Sequence, residues 1–199
     1  FRNQYTLDLT KTEVFDYLFS HISALVSEYD IAYIKWDMNR DTNYPGSGGR
    51  GAMHRQTHAV YKLIADLRER HPDLEIESCA SGGGRADYGV LRHTDRFWTS
   101  DNNDARHRHT IQKGASYFFP LRVTGSHVGP HKCHITGRTF SMEFRAASAI
   151  FGHMGMELDL AEETPEDRAT LARAIALHKK HRKLIHDGEL YRLDTPDYR

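Results

Sequence analysis

The chain has 199 residues, which fits a single domain, and its 27 Lys+Arg residues balance its 27 Asp+Glu residues. A formal net charge of zero argues against a nucleic-acid partner, which would need a basic patch. No apolar run approaches the roughly 20 residues that cross a bilayer. No amino-terminal stretch resembles a secretion signal, and two cysteines are too few for a disulfide scaffold. We therefore expect a cytoplasmic protein without a membrane partner.

The predicted strands are short runs of β-branched and aromatic residues. In chain order they cover residues 5–9, 31–36, 74–77, 96–99, 117–124 and 156–160. Between them lie amphipathic segments, in which apolar residues recur at spacings of three and four. These predicted helices cover residues 11–29, 52–70, 85–92, 138–151 and 164–185, with one more after Asp104. A loop rich in Gly, Asn and Pro is predicted at residues 39–51.

Three helix starts are predicted from capping residues. Thr10, with Glu13 three residues later, has the pattern of a capping box. Asp104 can cap the helix that follows it. Thr164 precedes Pro165 and two acidic residues, which is a strong helix start.

Alternating strands and helices predict βαβ units and a parallel sheet, here with about six such units. A complete (β/α)8 barrel needs roughly 250 residues. Either the sheet is therefore open, or one end of a barrel lies outside this chain. The first residue is Phe1 rather than Met, so we expect that the chain begins inside something longer or has been processed.

Polar residues follow the carboxyl ends of four predicted strands: Asp37, Cys79, Asp101 and His127. In parallel α/β folds the loops at that edge converge on one opening. Two carboxylates there are a candidate pair for acid/base or nucleophilic chemistry. The competing interpretation is that a strand-end Asp caps a helix or a turn. Trp36 and Trp98 weaken it, because a sugar pocket needs an aromatic wall, although either Trp could be a core residue.

Five sequence blocks, in the same order, resemble those of glycoside hydrolase family 36, the melibiase-like α-galactosidases. They cover residues 33–40, 77–85, 98–105, 125–129 and 152–160. The first contains Lys-Trp-Asp-Met-Asn, the second Ser-Cys-Ala-Ser-Gly-Gly-Gly-Arg and the third Trp-Thr-Ser-Asp. The resemblance implies an incomplete (β/α)8 TIM-type barrel carrying strands 3 to 8. Residues 1–199 would form one catalytic-barrel fragment, with the amino-terminal part of the barrel and any flanking domains elsewhere.

The resemblance also implies retaining hydrolysis of terminal α-D-galactosyl residues from oligosaccharides such as melibiose and raffinose. Asp37 would be the nucleophile and Asp101 the acid/base, with carboxyl groups roughly 5–5.5 Å apart. Asp104 is then better explained as a helix cap. The substrate-binding residues implied by the resemblance are Lys35, Asn39, Cys79, Gly82 and Trp98. Lys35 lies two residues before Asp37, so an extended strand places both on one side.

Other functions remain open from the sequence. Within the same fold these are α-N-acetylgalactosaminidase activity or galactosyl transfer. A non-catalytic carbohydrate-binding module and a metal-dependent sugar isomerase are alternatives of other classes. The glycines at 82–84 lack the spacing of a phosphate-binding loop. His107-x-His109 and His131-x-Cys133-His134 lack the paired spacing of a structural zinc site. We therefore expect no metal and no cofactor. We also expect a homo-oligomer for the full-length parent.

Overall fold

The structure is a computed structural model that describes residues 5–39 and 49–193. The chain forms two compact units, residues 1–97 and residues 98–199. Most of the predicted loop at 39–51, including Arg40 of the first sequence block, lies outside the described residues. Within the described ranges, no helix combines the length and the apolarity that crossing a membrane requires.

The first unit consists of parallel strands and helices. In chain order its elements are α1 (Thr12–Glu28), β1 (Tyr33–Asp37), α2 (Ala52–Arg70), β2 (Glu75–Cys79), a 3-10 turn (Val90–Arg92) and β3 (Arg96–Trp98), whose last residue begins the second unit. β1 pairs in parallel with β2, and Asp37 is aligned with Cys79. β2 pairs in parallel with β3, with Glu77 aligned with Arg96.

The core of the first unit lies between one face of the strands and the two helices. Ile34, Trp36 and Ile76 pack with Val26 of α1 and Ile64 of α2. The period of two in a strand sends Lys35 and Asp37 to the opposite face, where both are exposed. Apolar residues on the helix side thus leave the other face of β1 free for polar groups.

The second unit repeats the alternation of strands and helices. Its elements are α3 (Ala105–Ala115), a 3-10 turn (Leu121–Val123), β4 (Thr124–Val128), α4 (Met142–Ala149), β5 (His153–Met156) and α5 (Pro165–Asp187). β4 and β5 pair in parallel, with His127 aligned with Gly155. Its core is a buried cluster of Val128, Met142, Ala146, Ala149 and Leu171.

Several sequence-based predictions of elements are confirmed. α2 has the predicted bounds, and α5 begins with the Thr164 side chain accepting from the Asp167 N–H. Asp104 caps α3 through the backbone N–H groups of Arg106 and His107.

The predicted capping box at Thr10 is wrong. Helix α1 begins after Lys11, whose side chain makes no capping hydrogen bond. The Thr10 hydroxyl instead donates to Oδ1 of Asp8 at 2.6 Å. Thr10 thus lies one residue before the N-cap position, and its side chain contacts Asp8 rather than the first turn of the helix.

Three strand predictions also need correction. Residues 5–9 form no strand. Residues 117–123 form turns and the 3-10 turn, so β4 begins only at Thr124. The last strand is His153–Met156 rather than 156–160, because the Asp159 side chain accepts from the Ala161 N–H and turns the chain there. The described residues therefore contain five strands, not six.

The helix predictions at 138–151 and 85–92 were too long. Helix α4 begins after Ser141, whose side chain accepts from the Phe144 N–H, and it ends at Ala149. Of residues 85–92, only Val90–Arg92 are helical, as a 3-10 turn.

Candidate active site

Asp37 is the last residue of β1, and its side chain is exposed on the same strand face as Lys35. The side-chain amide of Asn39 donates to Oδ2 of Asp37 at 2.9 Å. Asn39 is itself held, because its Oδ1 accepts from the Ser81 backbone N–H at 2.6 Å. The direction of the Asp37 carboxylate is therefore coupled to the turn that follows β2.

That turn has an unusual backbone. Ser81 has a φ of 50° and Gly82 a φ of 83°, both in the left-handed region. A non-glycine residue seldom adopts this conformation, whereas glycine does so without steric cost. The Ala80 N–H donates to the Gly82 carbonyl at 2.9 Å and closes the turn. Gly82 is thus required locally, and the turn presents the Ser81 N–H to Asn39.

Cys79 is buried at the end of β2, beside Asp37. Burial raises the pKa of its thiol to about 11, and a hydrogen bond to Asp37 and the charge of Asp37 add to that rise. The Gly82 backbone N–H and the charge of Lys35 act in the opposite direction on this pKa. At neutral pH the side chain is therefore a neutral thiol that can donate to the carboxylate, and not a thiolate nucleophile.

Arg85 also belongs to this site, although sequence reasoning assigned it no role. One guanidinium nitrogen donates to the Cys79 carbonyl at 2.6 Å and to the Met38 carbonyl at 3.2 Å. Burial lowers the pKa of Arg85, while the charge of Asp37 acts to raise it. Arg85 thereby ties the ends of β1 and β2 together. Its only sequence signal is a basic residue directly after three glycines.

In the second unit, Asp101 follows β3 by three residues and is exposed. Asp104, three residues later, is fully buried. Besides capping α3, Asp104 accepts from the Thr136 hydroxyl at 2.5 Å and from Nε of Arg138 at 2.9 Å. The carboxylate of Asp104 is therefore occupied by structural contacts. This agrees with the prediction that Asp104 is a helix cap.

Trp98 lies in a stack of three side chains. Its ring lies 4.1 Å from the ring of His127, and the Arg108 guanidinium lies 4.5 Å from the Trp98 ring centre. Nδ1 of His127 and Oε2 of Glu157 are 3.1 Å apart, and the Asn103 amide donates to the same oxygen at 3.2 Å. Trp98 is only 2% exposed. Its ring partners thus come from β4, through His127, and from α3, through Arg108.

Of the two interpretations that the sequence left open for Trp36, the structure favours a core residue over an aromatic wall beside Asp37. Trp36 lies on the other face of β1 and packs with the helices of the first unit. Of the predicted site residues, the structure brings together the set at the ends of β1 and β2, namely Lys35, Asp37, Asn39, Cys79 and Gly82. Trp98 and Asp101 belong to the second unit.

Two of the histidines considered for a metal site, His107 and His109, have other contacts. Nδ1 of His107 lies 2.9 Å from the Asn102 amide nitrogen, and Nε2 of His109 lies 2.9 Å from the Ser148 hydroxyl. Across residues 5–39 and 49–193, no group of three or more His, Cys, Asp or Glu side chains is arranged to hold a metal ion.

Comparisons with solved structures show what kind of fold these units belong to. The alpha-galactosidase from Lactobacillus brevis matches all of this chain with a TM-score of 0.92 and 38% identity. A variant of the Geobacillus stearothermophilus alpha-galactosidase AgaA, in complex with raffinose, matches 98% of the chain with a TM-score of 0.91 and 35% identity. In both cases the chain covers 28% of the other protein. The predicted class is confirmed: an α/β fragment of a TIM-type barrel from a glycoside hydrolase.

The sequence comparisons then show the family. The Melibiase family model matches residues 1–188. The Escherichia coli alpha-galactosidase is 50% identical over 196 residues, which are 98% of this chain and 28% of that protein. AgaA from G. stearothermophilus is 36% identical over 201 residues, again 98% of this chain and 28% of the relative. The chain therefore belongs to the melibiase family, and it spans a little over a quarter of the length of these relatives.

Proposed function

We propose that the polypeptide carrying this chain is a retaining α-galactosidase that removes terminal α-D-galactosyl residues from oligosaccharides. The main support is the environment of Asp37, an exposed strand-end carboxylate held by Asn39, in a chain 50% identical to an alpha-galactosidase. The G. stearothermophilus relatives are described in complex with raffinose and with stachyose, which supports galactosyl oligosaccharides as substrates.

In the first step Asp37 is the nucleophile. One of its carboxylate oxygens attacks C1 of the galactosyl group and forms a covalent ester, while the bond from C1 to the glycosidic oxygen breaks. Asp101 gives its proton to that leaving oxygen, so the rest of the oligosaccharide departs as a neutral alcohol. The donors at Asp37 support this role, because the Asn39 amide holds one carboxylate oxygen at a fixed position.

In the second step Asp101, now ionised, acts as the base. It takes a proton from water as the water oxygen attacks C1 and the ester bond to Asp37 breaks. Galactose leaves with its original anomeric configuration, because C1 has been inverted twice. Asp101 is then protonated and Asp37 is free again, so no further reactant is needed.

The residues around Asp37 fit recognition of sugar hydroxyl groups. Lys35 is a cation on the same exposed strand face, and the Cys79 thiol is a neutral donor beside the carboxylate. The left-handed turn at Gly82 has no side chain at its tip and permits close approach of a substrate to the backbone. We propose that Lys35, Asn39, Cys79 and Gly82 bind the galactosyl group.

The test is hydrolysis of an activated aryl α-galactoside by the natural polypeptide and its Asp37→Asn and Asp101→Asn variants. Asp66→Asn is a matched control, because Asp66 is a carboxylate on α2 that pairs with Lys62. We expect Asp37→Asn to lose about 10²–10⁴-fold or more in kcat/KM on this substrate. Asp101→Asn should lose mainly kcat on it, because the activated leaving group departs without a proton, and should lose about 10²–10⁴-fold in kcat/KM on melibiose. The Asp66→Asn control should keep its rate.

Azide distinguishes the two roles. With Asp101→Asn, azide attacks the covalent intermediate and gives the α-galactosyl azide, since C1 is inverted twice. With Asp37→Asn, azide replaces the missing nucleophile and gives the β-galactosyl azide. Galactose binding without turnover by the natural polypeptide would instead support a carbohydrate-binding protein, and a preference for α-N-acetylgalactosaminides would reassign the substrate.

A further inference from the structure

Arg108 of α3 is one of the most buried charged residues in the described chain, with 1% of its surface exposed. Its guanidinium makes four hydrogen bonds. They go to the Thr99 hydroxyl at 2.8 Å, the Ser100 carbonyl at 3.0 Å, the Gly125 carbonyl at 3.1 Å and Oε1 of Gln112 at 3.1 Å. All four acceptors are uncharged.

A second buried arginine has a charged partner, in contrast to the uncharged acceptors of Arg108. Arg145 of α4 is also 1% exposed, but it donates to both oxygens of Glu163, at 2.7 and 2.8 Å. A buried cation normally needs such a carboxylate, because removing a charge from water costs several kcal/mol. Burial lowers the pKa of Arg108 to about 10, and only the charge of Glu157 acts to raise it. Burial of the Arg108 charge therefore costs free energy that no ion pair in its hydrogen-bond shell offsets. Its contacts differ from those of a structural ion pair.

Two of the four hydrogen bonds of Arg108 go to the segment that carries Asp101. Thr99 and Ser100 immediately precede Asp101, and one guanidinium holds both. The same group lies over the ring of Trp98, one residue earlier, and joins this segment to β4 at Gly125. On the other side of Asp101, the chain is fixed by the Asp104 cap of α3. The backbone on both sides of Asp101 is thus anchored to α3, the helix to which Arg108 belongs.

We propose that Arg108 is a positioning residue for Asp101, which holds the acid/base carboxyl group at the leaving oxygen. This inference rests on the proposed function. A general acid must lie within hydrogen-bond reach of the atom that it protonates. A displacement of about 1 Å from that position can cost about 10²-fold in rate. Loss of the four-point clamp therefore impairs proton transfer more than it impairs binding.

The test varies the leaving group. The natural polypeptide and its Arg108→Lys variant are assayed with aryl α-galactosides from a nitrophenyl to an unsubstituted phenyl leaving group, and with melibiose. A nitrophenolate departs without a proton, whereas phenol and sugar alcohols need the acid. For C1–O cleavage we expect Arg108→Lys to lose about 10²-fold in kcat/KM on phenyl galactoside and melibiose. The loss on the nitrophenyl substrate should be a few-fold, with azide increasing its turnover.

Arg145→Lys is the matched control, because it damages an equally buried arginine that does not contact the Asp101 segment. We expect it to lower the melting temperature while changing kcat/KM by one common factor for all leaving groups. Thr99→Val is a second variant that removes one acceptor of Arg108 and keeps the side-chain shape. It should show the leaving-group pattern of Arg108→Lys at smaller amplitude, so the proposal remains testable if Arg108→Lys does not fold.

The outcomes separate the two proposals. A leaving-group dependence that is steeper in Arg108→Lys and Thr99→Val than in Arg145→Lys supports positioning. A uniform loss across all leaving groups in Arg108→Lys or Thr99→Val, like that of the control, overturns it and leaves the α-galactosidase assignment intact. Absence of turnover by the unaltered polypeptide on every α-galactoside overturns the proposed function and this inference with it.

Discussion

Asn39 holds the carboxylate of Asp37: its amide nitrogen lies 2.9 Å from Oδ2 of Asp37, while its own oxygen accepts from the backbone of Ser81 at 2.6 Å. A residue two positions after the proposed nucleophile therefore takes its orientation from a turn 42 residues along the chain. This contact makes the turn after β2 part of the site, although the turn itself carries no carboxylate.

We expect Asn39→Ala to lower kcat/KM by about tenfold or more, because a hydrogen bond to a charged group contributes about 1.5–3 kcal/mol. Asn39→Asp should lower it further, since it replaces the donor with a second negative charge beside Asp37. Steady-state kinetics on an activated aryl α-galactoside measures both. An unchanged kcat/KM in Asn39→Ala would mean that Asn39 serves only the turn.

Some of this site could be predicted from the sequence because its signals are local. Asp37 follows an apolar strand directly, and parallel strands bring their carboxyl ends to one edge. Asp104 could be recognised as a helix cap because capping depends on the next few backbone N–H groups. These assignments needed no knowledge of distant contacts.

The remaining features depend on distant partners or on local competition. Arg85 and Arg108 look like ordinary basic residues in the sequence, and their roles come from carbonyl groups that the fold brings to them. Trp36 adjoins Asp37 in sequence but faces the helices, because neighbouring strand residues point to opposite sides. The capping box at Thr10 does not form: the helix begins one residue later than predicted, after Lys11, and the Thr10 hydroxyl donates to Asp8.

The Cys79 thiol should make the free energy of unfolding fall as the pH rises in the alkaline range. Its pKa is about 11 in the folded protein, mainly through burial, against about 8.5 for an unfolded cysteine. The folded state therefore holds this proton more tightly. The resulting stabilisation is complete below about pH 8.5 and is lost as the pH rises towards 11.

Denaturant unfolding of the wild type and Cys79→Ser across that pH window measures this contribution. We expect the wild type to lose free energy of unfolding relative to the variant as the pH rises, because serine does not ionise there. Parallel curves for the two proteins would show that Cys79 does not titrate differently in the folded and unfolded states.

Asp104 and Asp101 should differ sharply in their effect on stability. Asp104→Asn weakens the cap of α3 and leaves Arg138 without its carboxylate, so we expect a loss of about 1–2 kcal/mol in free energy of unfolding. Asp101→Asn alters an exposed side chain and should change it by less than about 0.5 kcal/mol. Chemical denaturation at neutral pH compares the two variants, and equal losses would contradict the assignment of Asp104 as the structural carboxylate.

The contribution of Asp104 to the free energy of unfolding should also depend on pH in acid. Burial acts to raise the pKa of Asp104, but hydrogen bonds from Thr136, the His107 N–H and Arg138 outweigh it and lower the pKa. A lowered pKa means that the stabilisation is present above the unfolded value of about 3.9 and disappears as the pH falls through the folded value. The difference between wild type and Asp104→Asn should therefore be largest near neutrality and shrink in acid. A difference that is constant with pH would indicate that charge is not its source.

Gly155 of β5 should be essential for the stack on Trp98. A Cβ atom at position 155 would lie 2.5 Å from Cδ2 of His127, which is too close, so the imidazole must move away from the indole ring. We expect Gly155→Ala to lower the melting temperature and to change the near-ultraviolet circular dichroism of Trp98.

Gly114→Ala is the control, because Gly114 lies in α3 with no atom within 4 Å of the added Cβ. Alanine there should stabilise the helix by about 0.5–1 kcal/mol and leave the spectrum unchanged. If Gly155→Ala behaves like this control, then β5 can shift without disturbing His127, and the tight packing between the ends of β4 and β5 does not hold the Trp98 ring in place.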